Sequence, residues 1–366
     1  MDRRGRRGVG FAAAATVALV AVLAGCAYTN PVSAPPDPAG LPDPFVVLVN
    51  GVYHAYTTNG PDVDHPTMNI QHVTSTDLVH WSAPTDVLPT LPSWAVAGRT
   101  WAPSVLVRGG ASPTYVLYFT AQPADRATNG THCIGTAVAS TPDGPFTPRA
   151  TPLVCQTDHN GAIDPSAFVD PVNGQAFLFW KSEDNLFVPA RPTIIWAQPL
   201  SADGLSFASG SAPSAVMTAS SNWEHGQIEA PAMTYDAASG RYVVFYAGHY
   251  WYNEPAYGTG WAVCTRTATG FAAGSCTRGQ STQWIASTAH ACAPAGVEVF
   301  SDNAGYRWLA YHAYVGPADP STGKCTGARK LRIDKLCFAN GVPRTNAPST
   351  GAQTLTRTAN CATDIP

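Results

Sequence analysis

Charge is what this sequence has least of. Asp, Glu, Lys and Arg make up 12% of its 366 residues, the net charge is −3, and no basic run follows Arg7. That leaves neither the electrostatic footprint of a nucleic-acid binder nor a polybasic segment for an anionic membrane surface, and an uncharged ligand fits better. Glutamate is confined to Glu183, Glu224, Glu229, Glu254 and Glu298. No two cysteines have CxxC spacing and none stands near a His at zinc-ligand spacing, so no metal cluster is expected and no metal ligand is assigned. The N-terminal apolar stretch, Phe11 to Leu23, is too short for a comfortable membrane span.

What that stretch does resemble is an export signal, because Arg3, Arg4, Arg6 and Arg7 precede it and Leu23-Ala24-Gly25-Cys26 ends it. Those last four residues look like a bacterial lipobox, in which Cys26 is acylated and becomes the mature N-terminus. The plainer alternative is that Cys26 is an ordinary small residue in a soluble protein's signal. Residues 1–25 are thus read as signal, 26–40 as a Pro/Ala-rich tether, and the product as extracellular, either a cell-surface lipoprotein or secreted. Contact with the membrane is expected only through the lipid, and the protein is expected to be a monomer. Eight cysteines remain, an even number in an exported chain, which means disulfides first. Nearest-neighbour pairing, 133 with 155, 264 with 276, 292 with 325 and 337 with 361, is one guess among 105 connectivities.

Gly and Pro, 32 each, with 10% aromatics, suit many short strands joined by tight turns. A motif recurs at intervals of about sixty residues, each copy preceding an aromatic strand. The copies are Asp43-Pro44-Phe45, Trp101-Ala102-Pro103, Asp164-Pro165-Ser166, Glu229-Ala230-Pro231 and Gly296-Val297-Glu298. A unit of that length cannot bury its apolar face alone and must stack on its neighbours. The expectation is an all-β, five-bladed β-propeller over residues 41–366, with equivalent positions converging at the mouth of the central channel. Asp43, Asp164 and Glu229 would meet there.

Hydrolysis of a glycosidic bond needs a carboxylic acid to protonate the leaving oxygen and a carboxylate to activate water or attack the sugar. A third carboxylate nearby can keep the acid protonated. Taken singly, Asp43 and Asp164 read as turn residues of Asp-Pro dipeptides, and Glu229 as a surface residue. Their shared phase in the repeat is what favours the catalytic reading. Trp101 is the best candidate for a sugar-stacking platform, with a core position as its alternative. Phe45 and Trp180 can line the same pocket or lie in the core, and His249 lies just past a blade-four strand, within possible reach of substrate.

These segments also resemble glycoside hydrolase family 43, whose members are five-bladed propellers acting on arabinose- and xylose-containing polysaccharides. The match runs from about residue 41 to 315 through Leu41-Pro42-Asp43-Pro44-Phe45, Trp101-Ala102-Pro103-Ser104, Ile163-Asp164-Pro165-Ser166, Glu229-Ala230-Pro231 and Tyr257-Gly258-Thr259-Gly260-Trp261. The resemblance implies that Asp43 is the general base, Glu229 the general acid and Asp164 the group that raises the acid's pKa and positions it, with inversion at the anomeric centre. It implies release of terminal α-L-arabinofuranosyl residues from arabinan or arabinoxylan. The alternatives are a β-xylosidase, an endo-arabinanase or a galactan-active enzyme, and, from another class, a non-catalytic sugar-binding propeller. In one respect the chain departs from the family: Ala293-Pro294-Ala295-Gly296-Val297-Glu298 lacks the channel His that often helps to hold an ion, and His312 is no clear substitute. No cofactor is therefore assigned, and a structural calcium or sodium ion is in doubt.

Overall fold

The computed structural model describes residues 27–32, 40–59, 68–110, 112–125, 130–252 and 254–365. The export signal and Cys26 lie outside these residues. Five four-stranded antiparallel meanders follow one another along the chain, each made of consecutive strands. Their innermost strands are Phe45–Val49, Ala95–Arg108, Ala162–Val169, Ile228–Asp236 and Ala291–Ser301. This is the expected five-bladed propeller.

Blade order follows from how the second strands are built. Thr114–Pro123, Ala176–Ser182 and Arg241–Gly248 read as almost continuous apolar runs rather than alternating ones, because a neighbouring blade covers each face. Each seam between blades holds its own apolar cluster. Phe177, Phe179, Val244 and Tyr246 fill the seam of blades three and four, while Val46, Tyr53, Phe300 and Trp308 fill that of blades five and one. The ring closes through that last seam, where Leu41 N–H also donates to the Arg329 carbonyl at 3.0 Å.

All four expected disulfides are present: Cys133–Cys155, Cys264–Cys276, Cys292–Cys325 and Cys337–Cys361. Short sequence separations, from 12 to 33 residues, made nearest neighbours the right guess, since each pair lies within a blade or just beyond it.

The tether expectation needs adjustment over its described part. Ala27–Thr29 pairs with Ala352–Thr354, and Asn30 Nδ2 donates to the Ile333 carbonyl at 2.8 Å and to Ser349 Oγ at 2.9 Å. Tyr28 is buried against Trp308. An apolar aromatic and a side chain able to bond backbone at both ends dock this segment on blade five, which composition alone did not foretell.

Candidate active site

The five blades present their inner strands to the channel through one repeated irregularity. Asp43, Ala102, Asp164, Ala230 and Ala293 all have positive φ, between 44° and 57°. Register shifts flank the last four, as in β-bulges. A non-glycine residue costs about 1–2 kcal/mol in this region and persists only where its surroundings hold it. Here the holding group is a hydrogen bond to each bulge amide. Asp43 N–H donates to His312 Nδ1 (3.0 Å), Ala102 N–H to Thr58 Oγ1 (2.9 Å) and Asp164 N–H to Thr120 Oγ1 (3.0 Å). Ala230 N–H donates to Asp164 Oδ2 (2.9 Å) and Ala293 N–H to Ser287 Oγ (2.8 Å). Four acceptors belong to the preceding blade and Ser287 to the segment entering blade five. The ring of bonds stitches the blades together at the end where the carboxylates stand.

In this frame the three acids are not strictly in phase. Asp43 and Asp164 are the positive-φ residues of their blades, whereas Glu229 precedes the positive-φ Ala230 and is the counterpart of Trp101 and Ile163. Alignment on the prolines shows the same offset, since Asp43 and Asp164 directly precede Pro44 and Pro165 whereas Glu229 stands two residues before Pro231. The structure nevertheless brings the acids to one place: Asp164 accepts from the residue after Glu229, and Asp43 and Asp164 both border the channel with Ala102 and Ala230.

Each acid has a distinct setting. Burial alone would raise the Asp43 carboxyl, but Arg329 holds it below the usual carboxylate range, with Arg329 Nη1 3.0 Å from Oδ1 and Thr58 Oγ1 2.5 Å from Oδ2. The fully buried His312 imidazole is pushed down to about 3, by desolvation first and the Arg329 cation second. It is therefore neutral at working pH, as its acceptor role toward Asp43 N–H requires. Asp164 is the opposite case. Burial, then the Glu229 charge, then Asp43 push its carboxyl up to about 8, against Lys181 and the Ala230 amide. Glu229 receives Tyr257 OH at Oε1 (2.8 Å) and Gln227 Nε2 at Oε2 (2.8 Å), with Lys181 Nζ 3.3 Å away. Burial and the neighbouring Glu229 charge therefore favour a proton on Asp164.

Of the expected aromatic contacts, Trp101 is partly exposed on this face, its ring 4.4 Å from that of His132, which Glu183 holds at 2.9 Å. Trp180 is not a pocket residue: it is 1% exposed, packed in the seam of blades two and three, with Nε1 on Gln156 Oε1. Strand alternation explains this, since Lys181 faces Glu229 and its neighbour must face away. Phe45 borders the channel, but its ring packs against Tyr56 in the seam of blades one and two. His249 lies on the active-site face at φ 75°, its ring 5.0 Å from that of His225. The sequence reading missed Arg329, Lys181, Gln227 and Thr58. A lysine directly after a buried tryptophan strand, Phe177-Leu178-Phe179-Trp180-Lys181, was the signal available for one of them.

His312 enters the channel after all. Its ring occupies the space beside Gly296, where an added Cβ would meet it at 2.7 Å, and Gly296 itself has φ 63°. His312 Nε2 is buried with no hydrogen-bond partner among the described residues. Calcium takes six to eight oxygen ligands, and among the described residues no three His, Cys, Asp or Glu ligand atoms converge in the channel. The side chains here do not by themselves make a calcium cage.

Residues 28–343 match the sequence pattern described as Glycosyl hydrolases family 43. The chain belongs to this family. A curated relative, "Xylosidase/arabinosidase 43A" of Humicola insolens, is 36% identical over 85 residues, which are 23% of this chain and 22% of that protein. Among solved structures, a thermostable family-43 glycoside hydrolase superposes with a TM-score of 0.69 at 22% identity, over 89% of this chain and 98% of that one. An endo-1,4-beta-xylanase from Bacteroides thetaiotaomicron gives 0.67 at 21% identity, over 87% and 97%. At such identities the superpositions carry the fold alone. The family it matches is one of glycosyl hydrolases.

Proposed function

We propose that this family 43 protein is an inverting exo-glycosidase that releases terminal α-L-arabinofuranosyl residues from plant cell-wall polysaccharide. Asp43 is the general base, Glu229 the general acid, and Asp164 sets the proton affinity of the acid and its position. What carries the reading is the contrast between the acids: Asp43 held ionised by Arg329, and, beside Glu229, an Asp164 whose proton burial and the Glu229 charge favour. Paired acids with opposed environments are the usual basis for dividing acid and base roles.

In the reaction Asp43 takes a proton from water as that oxygen bonds to the anomeric carbon. The glycosidic C–O bond breaks on the opposite face, and its oxygen receives the Glu229 proton. Tyr257, Gln227 and Lys181 position the Glu229 carboxyl, and Trp101 offers an aromatic face to the sugar. The joint xylose and arabinose name of the Humicola insolens relative supports a pentose substrate. A β-xylosidase is the alternative within the family.

The deciding experiment incubates the purified protein with p-nitrophenyl α-L-arabinofuranoside, p-nitrophenyl β-D-xyloside and debranched arabinan, following the released anomer by NMR. Release of β-arabinose from the first substrate is expected. Xylose release alone would replace the sugar assignment, and silence on all three with sugar still bound would favour a non-catalytic propeller.

Asp164→Asn is expected to move the alkaline limb of the pH–rate profile to lower pH, because Glu229 then loses its proton without a negative neighbour. An unmoved limb would remove the role given to Asp164. Stability follows the same sign. A carboxyl raised from 3.8 to about 8 loses native stability as pH rises through that window, so the variant's Tm should fall less than the wild type's across it.

We also propose export, with acylation at Cys26. Support comes from the arginine-flanked apolar segment and from four disulfides, which persist in oxidising compartments.

A further inference from the structure

Far out on the seam between blades one and two, three side chains converge that the proposed hydrolysis does not use. His54 lies on Val52–Thr57 and His72 on Gln71–Ser75, both facing blade two, and both are buried, at 4% and 3% exposure. His54 Nδ1 stands 3.0 Å from His72 Nε2. Asp143, from the turn before the outermost strand of blade two, brings Oδ1 to 3.6 Å from His54 Nδ1 while its side chain stays 65% exposed. One ligand atom from each of the three lies within 4.8 Å of the others.

We infer that His54, His72 and Asp143 form a binding site for a late divalent transition metal, zinc above all, with its remaining position open to solvent. Geometry is the first argument. Two ligands about 2.0–2.1 Å from a tetrahedral ion stand roughly 3.3 Å apart, and the two separations here, 3.0 and 3.6 Å, fall on either side of that value. Donor chemistry is the second. Two imidazoles and one carboxylate suit zinc, copper or nickel and do not suit calcium or magnesium, which take oxygens.

The surroundings are the third argument. Tyr56 and Phe146 pack around the pair, the Tyr56 ring lying 4.9 Å from His72. In such an apolar seam two imidazoles satisfy each other with one hydrogen bond, so a core pair would be served as well by hydrophobic residues.

The ligands come from two blades, so a bound ion would clamp a seam beyond the reach of the inner ring of amide bonds. Its effect is on stability, because an ion that binds only the folded protein shifts the folding equilibrium by mass action. His54 stands four residues before Thr58, which holds Asp43, so the strand that carries His54 leads straight into the catalytic rim without sharing a side chain with it.

The test strips the purified full chain with a chelator, then titrates it with zinc chloride alone by calorimetry while following Tm. Binding of one equivalent with a rise in Tm is expected, and cobalt(II) in its place should show the visible absorption of a four-coordinate ion. Asp143→Asn, which alters a mostly exposed side chain and leaves the seam packed, should weaken binding by about tenfold or more. The His54→Gln/His72→Gln double variant should bind no zinc at this site while its far-UV spectrum stays that of a folded β protein. Absence of binding to the wild type, or full binding by the folded double variant, would overturn the assignment, the second by placing the ion on other histidines.

Discussion

Glu229→Gln is expected to reduce turnover of natural polysaccharide by about 10²- to 10⁴-fold, the range a positioned general acid supplies. The amide keeps much of the local bonding, since its carbonyl can still accept from Tyr257, yet it has no proton to give. Aryl glycosides with good leaving groups need little protonation and should retain a large share of their rate. The check is the ratio of kcat/KM on arabinan to that on the p-nitrophenyl substrate, measured for the variant and the wild type. A drop confined to arabinan establishes the acid role. Equal losses on both substrates would contradict it, because a residue that only binds or orders the site affects both alike.

Asp43→Asn should be inert on natural and activated substrates alike, a loss again on the order of 10²- to 10⁴-fold, because water must be deprotonated whatever leaves. The substitution also leaves Arg329 facing a neutral amide in place of a carboxylate. Removing one charge of a buried ion pair can cost about 3–5 kcal/mol, less here because Asp43 keeps 19% of its side chain exposed. Loss of activity must therefore be separated from loss of fold. Azide or formate offers that separation: a small anion in a folded variant can take the place of water and restore activity on the aryl glycoside, and a misfolded variant cannot be rescued. Full activity in a folded Asp43→Asn protein would sink the base assignment.

Both predictions act on residues that the repeat itself pointed to, and the reason is physical. Blades are local units, so motif spacing, strand aromatics and turn prolines lie close together in the chain and leave a periodic trace. Disulfide pairing was legible for the same reason, each bridge closing a short loop. The lateral assignments were harder. Trp180 and Lys181 are adjacent on one strand, and only the pleat decides which faces the channel. Trp101 and Trp180 differ in role because one stands before a bulge on an inner strand and the other in the middle of a packed one. Glu229 was identified, yet it stands one residue out of phase with Asp43 and Asp164, two before its proline where they stand one before theirs.

By itself, then, the sequence determined five β units, the order of the blades and the three candidate acids, and it offered the cysteine pairs as one guess among many. These rest on local periodicity and on contacts within about one blade. Only the tertiary structure decided what each acid faces. Arg329 reaches Asp43 across 286 residues and His312 across 269, because closing the ring sets the last blade against the first. The partner that keeps Asp43 ionised and the one that holds its strained amide come from that closure, which no local pattern encodes. The same holds for His54, His72 and Asp143, whose meeting depends on how two blades pack side by side.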